Sequence, residues 1–138
     1  MKLKAEHKKV ILEEFEYAAR MMREVQTFDE KLFFFSSTFG VLSRVLNFEF
    51  NSQLVFMHFV LNNAHTAILG RIQAARAGDT AIVLKEDFFE KLTDMVDDLK
   101  NRIKSGKDAH DILEKIAVLT FTTTGNGYYL FRKGVFSI

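Results

Sequence analysis

Not one of the 138 residues is proline. Without the ring that removes a backbone donor and breaks the ladder, helices can run long. The hydropathy pattern uses that freedom throughout. Ile11, Leu12, Phe15, Ala18, Ala19, Met22 and Val25 share one face of a first helix over residues 4–26. Leu32, Phe35, Phe39, Leu42 and Leu46 do the same over 28–46, where Thr27 and Glu30 read as a capping box. A third helix starts at Asn51 or Ser52 and runs to about residue 77 along Leu54, Met57, Leu61, Ala64, Ile68, Ile72 and Ala75, with Gly78 as its C′ residue. Phe88, Leu92, Met95, Val96, Leu99 and Ile103 line a fourth over 85–104, closed by Gly106. Asp108 caps the last helix, whose register passes Ile112, Ile116, Leu119 and Thr123 and reaches Leu130. Gly125 and Gly127 each disfavour that continuation by about 1 kcal/mol, and Asn126-Gly127 would also suit a hairpin turn. We therefore expect a single all-α domain over residues 1–138, with five to six helices in a bundle or a globin-like arrangement.

The second helix is apolar beyond its stripe, at Phe34, Val41 and Val45. An arc that broad means a central helix or one that meets another chain. Ser36, Gly40 and Ser43 form a narrow strip that another helix could approach closely.

Composition narrows the function. There are 15 Phe but only 3 Tyr and no Trp. Phe fills volume without a polar atom to satisfy, so the chain builds either a Phe-packed core or a cavity for an apolar ligand. The 19 basic and 18 acidic residues leave a charge of +1, which does not point to nucleic acid. The absence of Cys excludes disulfides, thiolate metal sites and Cys nucleophiles. Residues 50–70 carry no Asp, Glu, Lys or Arg, yet His58, Asn62, Asn63 and His65 make the stretch too polar for a membrane span. With no apolar signal segment near the start, a cytoplasmic protein is expected.

His58, Asn62 and His65 share one side of the third helix. Seven residues are about 10 Å of rise, too far for both imidazoles to reach one metal, and neither E-x-x-H nor H-E-x-x-H occurs. These residues are either ordinary half-buried histidines or a polar chamber within an apolar fold. Arg44, Arg71 and Arg76 border the uncharged stretches. Each is either a snorkelling surface residue or a bidentate clamp for a carboxylate. Glu86, Glu90, Asp94 and Asp98 recur along the fourth helix as a solvated face or a dock for a basic partner. Asp108, His110, Asp111 and Glu114 complement a helix dipole. No phosphate-binding loop or nucleophile elbow is present, and we expect no enzyme. No His lies between Thr66 and Ala109, which leaves no proximal ligand for haem.

With this layout on the page, the Phe-rich stretch LFFFSSTFGVLSRVLNFEF and the following NSQLVFMHFVLNNAHTAILGRIQAARAGD resemble the haem-less, globin-like sensor domains of Bacillus sporulation histidine kinases. The closer resemblance is to their small stand-alone versions, which inhibit sporulation. The resemblance covers the whole chain. It implies a dimer, no haem, and a hydrophobic tunnel for a fatty acid, with an Arg and a bound chloride meeting the carboxylate. The residues available for the polar end are Arg44, His58, Asn62, His65 and Arg71; Phe35, Phe39, Leu42, Leu61 and Ile68 would line the tunnel. On this reading the chain is a decoy that competes with a related sensor kinase, and protonating a chamber histidine near pH 6 would tighten anion binding. The competing expectation is a structural or adaptor homodimer with no small-molecule ligand. A HEPN-type ribonuclease is a distant third, because seven residues separate Arg102 from His110 and the R-x(4–6)-H motif is missing. For the dimer, the fourth and last helices are the expected contacts, the latter through Thr120, Thr123, Thr124 and Gly127.

Overall fold

The computed structural model describes residues 1–80 and 83–124. Within them are five α-helices and no strand: α1 Ala5–Glu24, α2 Phe28–Leu46, α3 Ser52–Arg76, α4 Phe88–Ser105 and α5 His110–Thr124. The all-helical class is as the periodicity predicts. The proposed continuation through Gly125 and Gly127 to Leu130 lies outside the described residues.

Helix ends follow local chemistry. The Thr27 hydroxyl accepts the Glu30 N–H (3.1 Å) while the Glu30 carboxylate accepts the Thr27 N–H (3.3 Å). That box needs extended backbone just before it, and Val25 at φ −77°, ψ 157° supplies it. This is why α1 ends two residues earlier than the hydropathy pattern suggests. Asn51 caps α3 by accepting from Gln53 and Leu54. Gly78, at φ +98°, lets the Asp79 N–H return to the Ala74 carbonyl (2.9 Å), the reversal that favours glycine at C′. Gly106 closes α4 the same way at φ +72°. The expected start of α4 at residue 85 is replaced by a turn, in which the Phe88 N–H donates to the Lys85 carbonyl (3.1 Å). Phe88 and Phe89 are both buried at the helix start that follows.

The helices pack as a closed circuit: α2 on α1 and α3, α1 on α4, α4 on α5, and α5 back on α3. No helix is central, which corrects one of the two readings of α2. Of its surplus apolar residues, Val41 and Val45 are buried in the core, and the outward face lies at Phe33 and Phe34. Phe33 is 68% exposed, and the half-buried Phe34 stands edge-on to Tyr17 at 5.9 Å. The Ser36–Gly40–Ser43 strip is not a close helix contact either, since a methyl at Gly40 would meet nothing within 4 Å. One continuous core fills the circuit, including Ile11, Phe15, Phe35, Leu42, Leu54, Met57, Leu61, Leu92 and Ile116.

The two ends of the bundle differ. At one end lie the N-terminus, the α2–α3 connection and the α4–α5 turn. There the terminal ammonium donates to the Gly106 carbonyl (2.9 Å) and Asn51 donates to the Lys2 carbonyl (2.9 Å). Glu49 accepts from the Lys4 N–H and lies 2.6 Å from His7 Nδ1. The hydrogen bond to His7 holds its carboxyl below the usual carboxylate range. The other end carries the α1–α2 link, the C-terminus of α3 and the start of α4. No helix among the described residues is long and apolar enough to cross a membrane.

Candidate functional site

The residues expected at a polar chamber are dispersed. Arg44 and Asn62 are exposed. His58 and His65 are half-buried, and the ring of Phe39 stands between them, edge-on to His58 at 6.0 Å and to His65 at 5.3 Å. An aromatic ring thus occupies the place where a chamber would need polar groups. Burial pushes the His65 imidazole below its ordinary value. This disfavours the imidazolium form of His65, the form expected to tighten anion binding. Phe35, Leu42, Leu61 and Ile68 are fully buried in the close-packed core and line none of the clefts described below.

Because His65 is depressed, the sign of its effect on stability is fixed. The unfolded chain binds its proton at about pH 6.5, whereas the folded chain does so only at lower pH. Stability from this group is complete above 6.5 and is lost as pH falls through that value toward the folded one. Thermal unfolding of the wild type and of His65→Phe between pH 8 and pH 5 should show the wild type losing stability relative to the variant as pH falls through this window. A pH-independent difference would contradict the assignment.

Arg71 has a different environment. It is 8% exposed, the one charged side chain buried among the described residues. It lies six residues beyond His65, about 120° further round α3, so the two cannot serve one site. Its Nη2 donates to the Asp79 carbonyl oxygen at 2.5 Å and lies 3.4 Å from the Asp79 carboxylate. The reversal at Gly78 carries Asp79 back over the last turns of α3 and so explains this contact. Buried Nε has no hydrogen-bond partner. A guanidinium held in low dielectric with an idle donor is costly unless a further acceptor arrives.

Arg71 forms part of the wall of two clefts. One, about 440 Å³, is lined by Phe28, Ile72, Ala75, Val83 and Leu84, with Asp29 and Arg76 paired at its rim. The other, about 490 Å³, lies between α3 and α5 and is lined by Asn63, Thr66, Ala67, Gly70 and Thr124. Both fall within the usual size of small-molecule sites, roughly 300–1,000 Å³. The first is apolar and the second mixed. Thr124 is buried and donates to the Thr120 carbonyl (2.6 Å), while the buried Thr120 hydroxyl, one turn earlier, has no partner. A further cleft of about 150 Å³ at the far end of α3, floored by Phe56 stacked on His110 (5.4 Å), lacks a buried cation.

Comparison with known protein families, curated proteins and solved structures finds no match.

The chemistry of the Arg71 site is therefore argued from its own atoms. Side-on, Nε and a terminal nitrogen present two parallel N–H groups, the pattern a carboxylate accepts with both oxygens. The apolar cleft beside it can take a hydrocarbon chain. Phe28, Leu84 and Thr124 went unremarked in the hydropathy pattern, because they converge on Arg71 from three separate elements. Gly78 was the usable signal, since a C′ glycine implies a reversal that turns the following residue back over its own helix. Among the described residues there is no group of His, Cys, Asp and Glu that could hold a metal.

Proposed function

We propose that this protein is a non-enzymatic binding domain for an apolar monocarboxylate, a fatty-acid-like ligand held by Arg71. The observation that carries the reading is the buried Arg71, with an unpartnered Nε, in the wall of an apolar cleft. The carboxylate accepts from Nε and a terminal nitrogen, and the chain lies along Phe28, Ile72, Val83 and Leu84. A chloride ion is the natural occupant of the same donors when no carboxylate is present. The ligand class is the one implied by the resemblance to haem-less, globin-like sensor domains. In that setting the chain acts as a sporulation-inhibitory decoy, withholding ligand from a sensor kinase that carries a similar domain. Of the five residues expected at the polar end, Arg44, His58, Asn62, His65 and Arg71, this reading keeps Arg71 alone.

The second reading is a structural or adaptor homodimer. It draws on exposed Tyr17 and Phe33 on the α1–α2 face and on exposed Val118 and Phe121 along α5. The outer face of α4 exposes Glu90, Lys91, Asp94 and Asp98, so it offers no apolar surface and is a poor dimer contact. Native mass spectrometry separates the readings. A protein mass carrying an adduct of fatty-acid size supports the ligand-binding domain. A dimer free of adduct, which also fails to acquire one after incubation with fatty acid, favours the adaptor.

A further inference from the structure

The end of the bundle opposite Arg71 presents two aromatic side chains to solvent. Phe48 and Phe50, in the α2–α3 connection, are 80% and 81% exposed, the most exposed large apolar residues of the described chain. Their outward aim has a local cause. Glu49, between them, is held by the Lys4 N–H and by His7, whereas the rings on either side of it have no such partner and stand in solvent. The connection is pinned further by Asn51, which donates to the Lys2 carbonyl, and by the Phe48 N–H, which donates to the Val45 carbonyl (2.9 Å). The two rings are thus held out on a fixed loop.

Cations surround them. Exposed Lys2 and Lys4 belong to the segment bonded to Asn51 and Glu49, and exposed Arg44 lies one turn before Phe48. The terminal ammonium reaches Gly106, which is flanked by exposed Lys104 and Lys107. The carboxylates at this end are Glu6, Asp108, the His7-bound Glu49 and Asp111, which is paired with Arg102. At the Arg71 end, the five carboxylates of Asp29, Glu30, Asp79, Glu86 and Asp87 outnumber the four cations Lys31, Arg71, Arg76 and Lys85. A chain of net charge +1 has therefore sorted its charges along the bundle axis.

We infer that this end docks on an anionic membrane surface, with Phe48 and Phe50 as the inserting wedge and the surrounding lysines on the lipid head groups. Protruding aromatic rings alone would fit any apolar surface. Rings inside a cationic collar fit an interface that is apolar within and negative at its rim, which is the cross-section of an anionic leaflet. The inference stands on other residues than the Arg71 site and does not depend on it.

The test is co-sedimentation with vesicles of phosphatidylcholine alone and of phosphatidylcholine with phosphatidylserine. The protein should partition onto the mixed vesicles at low salt, and binding should fall steeply as salt is raised. The exposed double variant Phe48→Ser/Phe50→Ser, with circular dichroism confirming its fold, should lose about tenfold or more in partitioning. Lys104→Glu and Lys107→Glu should each lose about fivefold. Equal binding by the Phe variant, or no preference for the anionic vesicles, would overturn the inference. So would concentration-dependent self-association in the absence of lipid that the Phe variant abolishes, because the occupant would then be a second copy of the chain.

Discussion

Truncating Phe35 to alanine should cost about 3–5 kcal/mol of folding stability, the range for removing a buried aromatic ring. Phe35 is wholly buried, with its ring 6.5 Å from that of Phe39, and it belongs to the core that joins all five helices. A domain of this size has about 5–15 kcal/mol in total, so the variant should approach the limit of folding at physiological temperature. Phe33→Ala, two residues earlier, should change stability by less than about 0.5 kcal/mol, because Phe33 lies 68% exposed. Paired urea denaturation of the two variants checks the contrast. Similar losses in both would mean that α2 is rotated from the orientation described.

That contrast shows how far the sequence can be read. The run Phe33-Phe34-Phe35 is uniformly apolar, and only the wider register through Leu32, Phe39 and Leu42 says which of the three faces inward. The capping box at Thr27, the cap at Asn51 and the stop at Gly78 were legible because each depends on residues within four positions. The start of α4 was not, since burial of Phe88 and Phe89 against other helices decides it. The broad apolar arc of α2 allowed either a central helix or one that meets another chain. Residue type does not say which part of such an arc is covered: Val41 and Val45 are buried, whereas Phe33 faces solvent. At the candidate site the residue types were legible and the choice among them was not. Arg44 and Arg71 border similar apolar stretches, but only Arg71 is folded under a chain reversal and buried.

Replacing Arg71 with methionine should separate binding from folding. An apolar chain of similar length fills the space of a buried, partly satisfied cation, and Asp79 is exposed enough for water to replace the lost contacts, so the cost in stability should be small. Ligand affinity should move the other way. Losing the cation that meets a desolvated carboxylate costs on the order of 2–5 kcal/mol, about thirty-fold to several-thousand-fold in Kd. Arg44→Ala removes a charge that is already exposed to solvent and should leave affinity unchanged. Thermal unfolding of Arg71→Met with and without ligand gives a second readout. The wild type should be raised by ligand through mass action, whereas the variant should not.

The most direct test of the central claim is calorimetric titration of the delipidated protein with a long-chain saturated fatty acid such as palmitate, run for the wild type, Arg71→Met and Arg44→Ala. We predict saturable binding by the wild type and by Arg44→Ala, with binding by Arg71→Met weakened at least thirty-fold, the lower end of the range for a lost buried charge pair. Wild-type protein that binds no fatty acid, or Arg71→Met that binds as tightly as the wild type, would contradict the account.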